Sequence, residues 1–341
     1  MRSEPHGQPI ATVERPTVEQ FARIVAAARP VLLKGVVVHW LAVEKARQSD
    51  QAVADYLKGF DNGRPAQVWV GEPAIQGRFF YGDSLDKLNF RKVAAPVAAT
   101  LDHLLSLTAQ DEPPSVYIQS QPVAELLPGF GDANVLDLLP QVSPRIWIGN
   151  RLRVQTHYDP VDNVACLVAG RRRFTLFPPE QLPNLYPGPL DKTVAGAPVS
   201  MAAIEDPDFE RYPKLKDALD HAVHADLESG DAIFIPYMWW HHVQSLDGFN
   251  VLVNYWWDER PDENVEAMDA FLHAILTVRS LPPHRRDIWR TMFETYVFEA
   301  SGDPVAHLAD ADKGALGTPS EAEVQQMRQH LLARLAGRWR K

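Results

Sequence analysis

The stretch Asn163-Val164-Ala165-Cys166-Leu167-Val168-Ala169-Gly170-Arg171-Arg172-Arg173-Phe174-Thr175-Leu176-Phe177 decides the fold class. It holds two short apolar runs of strand length, 163–168 and 172–177. Between them, Val168-Ala169-Gly170-Arg171 reads as a hairpin turn. The same texture extends outward from about Pro114, with further candidate strands at 116–119, 145–148, 154–159, 232–235 and 250–257. Many short strands punctuated by glycine and proline predict a β-barrel or sandwich. Residues 178–189 are too rich in proline for a central strand. Residues 201–228 read as a less regular insertion with a helix near 214–221.

Both flanks carry helical signals. Thr17 caps a predicted helix running to about Ala28, with Val18, Phe21, Ile24 and Val25 on one face. A strand over 31–38, a helix over 51–60, short strands at 68–70 and 79–81, and a helix over 101–107 follow. After Trp257 three apolar helix faces succeed one another: Val265, Met268, Phe271, Leu272 and Ile275; Trp289, Met292, Phe293, Tyr296 and Val297; Val324, Met327, Leu331, Leu332 and Leu335. Such faces pack either on their own barrel or on a second copy of the chain. The expected division is an α/β flanking region at 1–113, a β core at 114–260 and a helical region at 261–341.

The 341 residues are 45% hydrophobic and 23% charged, which excludes a disordered or fibrous chain. With 34 basic against 44 acidic residues the formal charge is −10, so a cationic surface for nucleic acid is not the overall design. Cys166 is the single cysteine, which excludes an internal disulfide and suits a reducing compartment. No apolar run approaches the ~18 residues of a membrane span. Met1-Arg2-Ser3-Glu4-Pro5 leads into no apolar signal core, so a cytoplasmic location is expected.

The chemistry gathers in the β region. His157 and Asp159, two apart, project from one face of a strand. Pro236-Tyr237-Met238-Trp239-Trp240-His241-His242-Val243 breaks a strand and resumes it, turning a histidine back toward the interior. Two histidines and a carboxylate on one face of an octahedral ion form the facial triad of non-haem Fe(II) oxygenases. Taken singly, these are ordinary core or surface residues; taken together, metal binding is the better reading. Arg172 shares a face with Phe174 and Leu176, and a buried guanidinium needs an anion such as a dicarboxylate co-substrate. Solvent exposure at the strand start is the competing reading for Arg172. Asn163, Asn254 and Tyr117 sit in apolar strands and need polar partners, within the core or on a ligand.

These motifs, together with Trp147-Ile148-Gly149, Gly170-Arg171-Arg172-Arg173-Phe174-Thr175-Leu176-Phe177-Pro178-Pro179 and Asn254-Tyr255-Trp256, resemble the JmjC/cupin-like 2-oxoglutarate oxygenases, and among them the asparaginyl hydroxylases. The resemblance runs from about residue 30 to 260. It implies a mainly β protein with flanking helices: a double-stranded β-helix (jelly-roll) barrel followed by a C-terminal helical dimerisation region. It implies His157, Asp159 and His241 as iron ligands, with His242 behind them. Tyr117 and Arg172 match the groups that hold the distal carboxylate of 2-oxoglutarate, and Asn163 and Asn254 match amides near its metal-bound end. Gln119, Tyr158 and Trp239 are the expected substrate-side residues. Arg172 stands where the family usually has lysine, and Val154 where relatives often carry a hydroxyl.

The activity implied is hydroxylation with Fe(II), 2-oxoglutarate and O₂, most simply of a protein or peptide side chain by a homodimer. An oxygenase acting on tRNA or a small molecule is the first alternative, with the basic end Arg334-Leu335-Ala336-Gly337-Arg338-Trp339-Arg340-Lys341 in its favour. A non-catalytic cupin-like metal-binding module is the second. No membrane partner is expected.

Overall fold

Apolar residues on alternate sides of the central strands bury in two different places, and this splits the β region into layers. The computed structural model describes residues 5–259 and 266–337. The chain divides into two compact units, Met1–Asp258 and Glu259–Lys341. In chain order the strands are β1 (Gln8–Pro9), β2 (Ala11–Glu14), β3 (Val31–Lys34), β4 (Pro65–Gly71), β5 (Arg91–Pro96), β6 (Ser115–Pro122) and β7 (Pro144–Gly149). They continue as β8 (Arg153–His157), β9 (Asp162–Ala169), β10 (Arg172–Phe177), β11 (Val223–Leu227), β12 (Ala232–Ile235), β13 (Trp240–Ser245) and β14 (Asn250–Trp257).

A five-stranded sheet has the order β1-β11-β10-β13-β8, and a nine-stranded sheet the order β2-β3-β12-β9-β14-β7-β6-β4-β5. Between them lies an inner core that includes Tyr117, Trp147, Ala165, Leu167, Phe174, Leu176, Ile233, Val243 and Leu252. The opposite face of the large sheet carries Val164, Cys166, Val168, Phe234, Val251 and Val253. Helices α1 (Val18–Ala26), α2 (Leu41–Gln48), α3 (Asp50–Lys58) and α4 (Val97–Leu107) cover that face with Phe21, Val43, Leu57 and Leu101. Thr17 caps α1 as expected, its hydroxyl accepting from the Gln20 N–H while the Gln20 side chain accepts from the Thr17 N–H. A third, smaller cluster joins Tyr158, Phe177 and Trp240 to the segment around Ala202, Ile204 and Leu215. The architecture is the mainly β, helix-flanked fold expected.

Strands β10, β12 and β14 occupy the ranges read from the sequence. Four local readings need correction. Gly170 does not close a hairpin: β9 pairs with β12 and β14, whereas β10 pairs with β11 and β13. The turn instead carries the chain from one sheet to the other. Gly170 has φ +79°, and a Cβ there would lie 2.5 Å from Asn250 Oδ1, so glycine is demanded by both backbone and space. The insertion at 201–228 ends in a true strand, β11. The strand from Val31 stops at Lys34, where Gly35 turns at φ +68°. Residues 79–81 form no strand; Tyr81 makes only an isolated bridge to Leu88.

In the second unit the helices are α5 (Ala267–Thr277), α6 (Pro283–Tyr296) and α7 (Glu321–Gly337). Phe271, Leu272, Trp289, Met292, Leu331 and Leu332 are exposed on them. Val265 and residues 338–341, both invoked above, lie outside the described residues. Among the described residues no helix is long and apolar enough to cross a membrane.

Candidate metal centre and co-substrate pocket

Strands β8 and β13 are neighbours in the small sheet, and their register sets His157 directly opposite His241. The two imidazole rings lie 4.3 Å apart between centroids. Asp159 follows β8 rather than continuing it, so the two-residue alternation holds only as far as His157. The Asp159 carboxylate is brought in by a loop whose carbonyl accepts from the Met238 N–H at 3.0 Å. Met238 has φ +61°, a costly conformation for a side-chain-bearing residue. The two ligand loops are thus locked to each other. One ligand atom each from His157, Asp159 and His241 lie within 4.8 Å of one another, and His241 Nε2 is 3.6 Å from Asp159 Oδ2.

Each histidine turns its Nδ1 to a backbone carbonyl. His157 Nδ1–H donates to the Gln155 carbonyl at 2.8 Å, and His241 Nδ1–H to the Trp239 carbonyl at 3.0 Å. A carbonyl only accepts, so Nδ1 carries the hydrogen and Nε2 is the nitrogen on each ring that could face a metal. Burial, then the neighbouring His157, lowers the His241 pKa to about 4, against the pull of Asp159. Two imidazoles and one carboxylate on one side of a point fit a divalent transition ion with open positions.

His242 faces away from this centre. It is buried, with Nε2 2.8 Å from Glu205 Oε1. The contact is close but not well directed as a hydrogen bond. Burial raises the Glu205 pKa, but His242 and hydrogen bonds outweigh it and bring it to about 2. The pair ties the segment around Ile204 to the back of the ligand strand.

Arg172 is 2% exposed, which decides against the solvent-facing reading. Among the described residues its Nε and Nη2 have no hydrogen-bond partner, and no carboxylate acts on it. Burial pushes its pKa down, and the neighbouring Tyr117 hydroxyl offsets part of that. Burial raises the Tyr117 pKa to about 12, so the hydroxyl is neutral and able to donate. Phe79 stacks on the Tyr117 ring with centroids 6.0 Å apart. A buried, preorganised cation lacking its anion is a site for one, and its two free donors suit a carboxylate.

Asn254 and Asn163 meet: Asn254 Nδ2 donates to Asn163 Oδ1 at 2.9 Å, leaving Asn254 Oδ1 buried and unpartnered. Trp256 Nε1 is likewise buried without an acceptor. Trp239 is half-buried against the inner core. Gln119 is half-buried on β6, where a bulge follows Ile118 and Ser120 takes φ +49°. Tyr158 sits elsewhere: its ring packs on Trp240 in the third cluster, at 5.0 Å between centroids. Val154 packs on the inner core, while the Thr156 hydroxyl is buried without a partner.

The sequence reading passed over Arg145 and Gln155. Arg145 lies opposite Asn254 on β7, its Nε donating to Ser120 Oγ at 2.8 Å and its guanidinium 5.7 Å from the Trp256 ring. A second cation beside an amide in an apolar strand is the signal that could have marked it.

The cupin-like domain model matches residues 17–263, most of the chain and all three candidate ligands. The chain belongs to the cupin-like domain family. It is 36% identical over 156 residues to the lysine-specific demethylase JMJ31 of Arabidopsis thaliana, covering 45% of this chain and 27% of that protein. It is 32% identical over 153 residues to the tRNA wybutosine-synthesizing protein 5 of Gallus gallus, covering 40% and 45% respectively. It is 29% identical over 191 residues to the HSPB1-associated protein 1 of Bos taurus, covering 54% and 38%. The matched stretches thus span less than half the length of each of these relatives. The JmjC-like resemblance read from the residues is thereby shown.

Proposed function

We propose that the protein is an Fe(II)- and 2-oxoglutarate-dependent dioxygenase that hydroxylates a side chain of a protein or peptide. The observation that carries this reading is a His-Asp-His cluster in the same barrel as a buried arginine without an anion. His157, Asp159 and His241 would hold the iron, which supplies the activation of O₂ when bound. Arg172 and Tyr117 hold the distal carboxylate of 2-oxoglutarate. Asn163 and Asn254 orient its other end. Gln119 and Trp239 face the substrate, and the apolar walls exclude bulk water.

A side chain of a protein suits the net charge of −10 better than a polyanion does. One relative is named as a lysine-specific demethylase. Another is named for tRNA wybutosine synthesis, which keeps a tRNA substrate as the second reading. The exposed apolar residues of the second unit's helices suit a homodimer. We place the enzyme in the cytoplasm.

The test is succinate formation from 2-oxoglutarate by the purified protein with Fe(II) and ascorbate, beside His157→Ala. Turnover that requires His157 is expected, rising when the true substrate is added. Turnover unchanged in His157→Ala sinks the metal assignment. Stimulation by tRNA and by no peptide favours the second reading.

A further inference from the structure

We infer that Gln155 is a positioning residue for the metal ligand His157, acting through its own backbone carbonyl. The inference rests on the metal site proposed above and adds a residue to it.

Among the described residues β8 is the last strand of the small sheet, so one of its edges has no ladder partner there. On its other side the register with β13 slips: His241 faces His157 and Val243 faces Val154. Gln155 and Thr156 therefore share the single residue His242 as their opposite. A bulge of this kind re-aims a side chain at the cost of leaving backbone groups outside the regular ladder. Within this bulge the Gln155 carbonyl accepts the Nδ1–H of His157 at 2.8 Å. For His241 the equivalent carbonyl belongs to Trp239, which a tight turn holds, with the Trp239 N–H donating to the Pro236 carbonyl. Gln155 has no such turn.

Its side chain does the holding instead. Gln155 is 3% exposed. Nε2 donates to the Ser200 carbonyl at 2.7 Å and the Ala202 carbonyl at 2.8 Å. Oε1 accepts from Arg78 Nε at 3.0 Å. These partners belong to the two segments that cover the open edge of β8. One covers its start: the Arg153 N–H donates to the Gly77 carbonyl, and Arg78 bridges to Arg153. The other covers its end: the Ser200 N–H donates to the Thr156 carbonyl, and Val199 bridges to His157. Gln155 stands at the seam and hydrogen-bonds both. The Arg78 guanidinium is itself fixed 4.4 Å above the Phe80 ring. An amide with both donors and its acceptor committed has one orientation, and it fixes the peptide that fixes the imidazole.

The test uses the full chain with Co(II) as probe, followed by its visible absorption, and thermal melting without metal. Gln155→Leu removes all three side-chain hydrogen bonds of Gln155 and is expected to raise the Co(II) Kd about tenfold or more and to alter the absorption band. Asn134→Leu is the control for plain destabilisation. That buried amide also has three partners, accepting from the Ala42 N–H and donating to Phe130 O and Tyr56. It is expected to lower the melting temperature and leave the Co(II) Kd and band alone. Arg78→Met removes only one partner of Gln155 and is expected to raise the Kd by less; it decides the matter if Gln155→Leu does not fold. An unchanged Co(II) Kd and band in a folded Gln155→Leu, or in Arg78→Met where that variant decides, overturns the inference. Absence of Co(II) binding in the wild type, or binding indifferent to His157→Ala, overturns the metal site itself and is recognisable as that separate failure.

Discussion

Arg172→Met removes the cation and keeps most of the volume. In the ligand-free protein the guanidinium is buried with Nε and Nη2 unpaired. Its loss therefore relieves a desolvation cost, and the melting temperature is expected to hold or rise. With 2-oxoglutarate the sign reverses. Two charge-assisted hydrogen bonds, at the low end of about 1.5 kcal/mol each, are lost; that is ~100-fold in Kd. The assay is calorimetric titration of 2-oxoglutarate into the Co(II)-loaded protein, with a thermal shift on the same samples. The wild type gains stability with co-substrate concentration, and the variant gains little over the same range. A Kd within a few-fold of wild type would falsify Arg172 as the carboxylate anchor. A lowered melting temperature without ligand would instead show that the guanidinium has a partner inside the protein.

Tyr117→Phe removes one neutral hydroxyl beside that anchor and is expected to weaken 2-oxoglutarate binding by about 1 kcal/mol, ~5-fold in the same titration. The metal-free protein should lose stability as pH falls from about 6.5 toward about 4. In that window an unfolded His241 takes up a proton that the folded one, buried and near pKa 4, refuses. Urea midpoints across this range check the slope, and His241→Phe should flatten it. Gly170→Ala, which sets a Cβ 2.5 Å from Asn250 Oδ1 at φ +79°, should cost about 2 kcal/mol or more in urea unfolding. A loss comparable to an ordinary surface substitution would show that the inter-sheet turn can relax.

Apolar strands bounded by turn residues were legible wherever both ends were marked. Gly170 and Pro178 bracket β10, Pro236 closes β12, and Asp247-Gly248 precede β14. Val223-His224-Ala225-Asp226-Leu227 carries the strand alternation, but it is short and polar on its outer side, and it escaped notice. The turn at Gly170 shows a different limit. A glycine with positive φ announces a change of direction, whereas the partner strand is chosen by residues far away, here Ala225 and Val243 against Phe174. The metal ligands could be proposed from residue type and spacing. The family resemblance already singled out His241 over His242, and the strand's facing agrees, because adjacent residues point to opposite sides of a sheet. Gln155 gave no signal, since its role comes from a register slip and from segments some 45 and 77 residues away.

The proposed co-substrate anchors do not all belong to one layer. Arg172 rises from the small sheet with both candidate histidine ligands, whereas Tyr117, Asn163 and Asn254 rise from the large one. A dicarboxylate gripped by both sets would act as a strut braced across the sandwich. Its fixed length would resist any drift in the gap between the sheets and damp their breathing. A shorter or longer diacid would be rejected by the stiffness of the whole barrel, in addition to any local misfit.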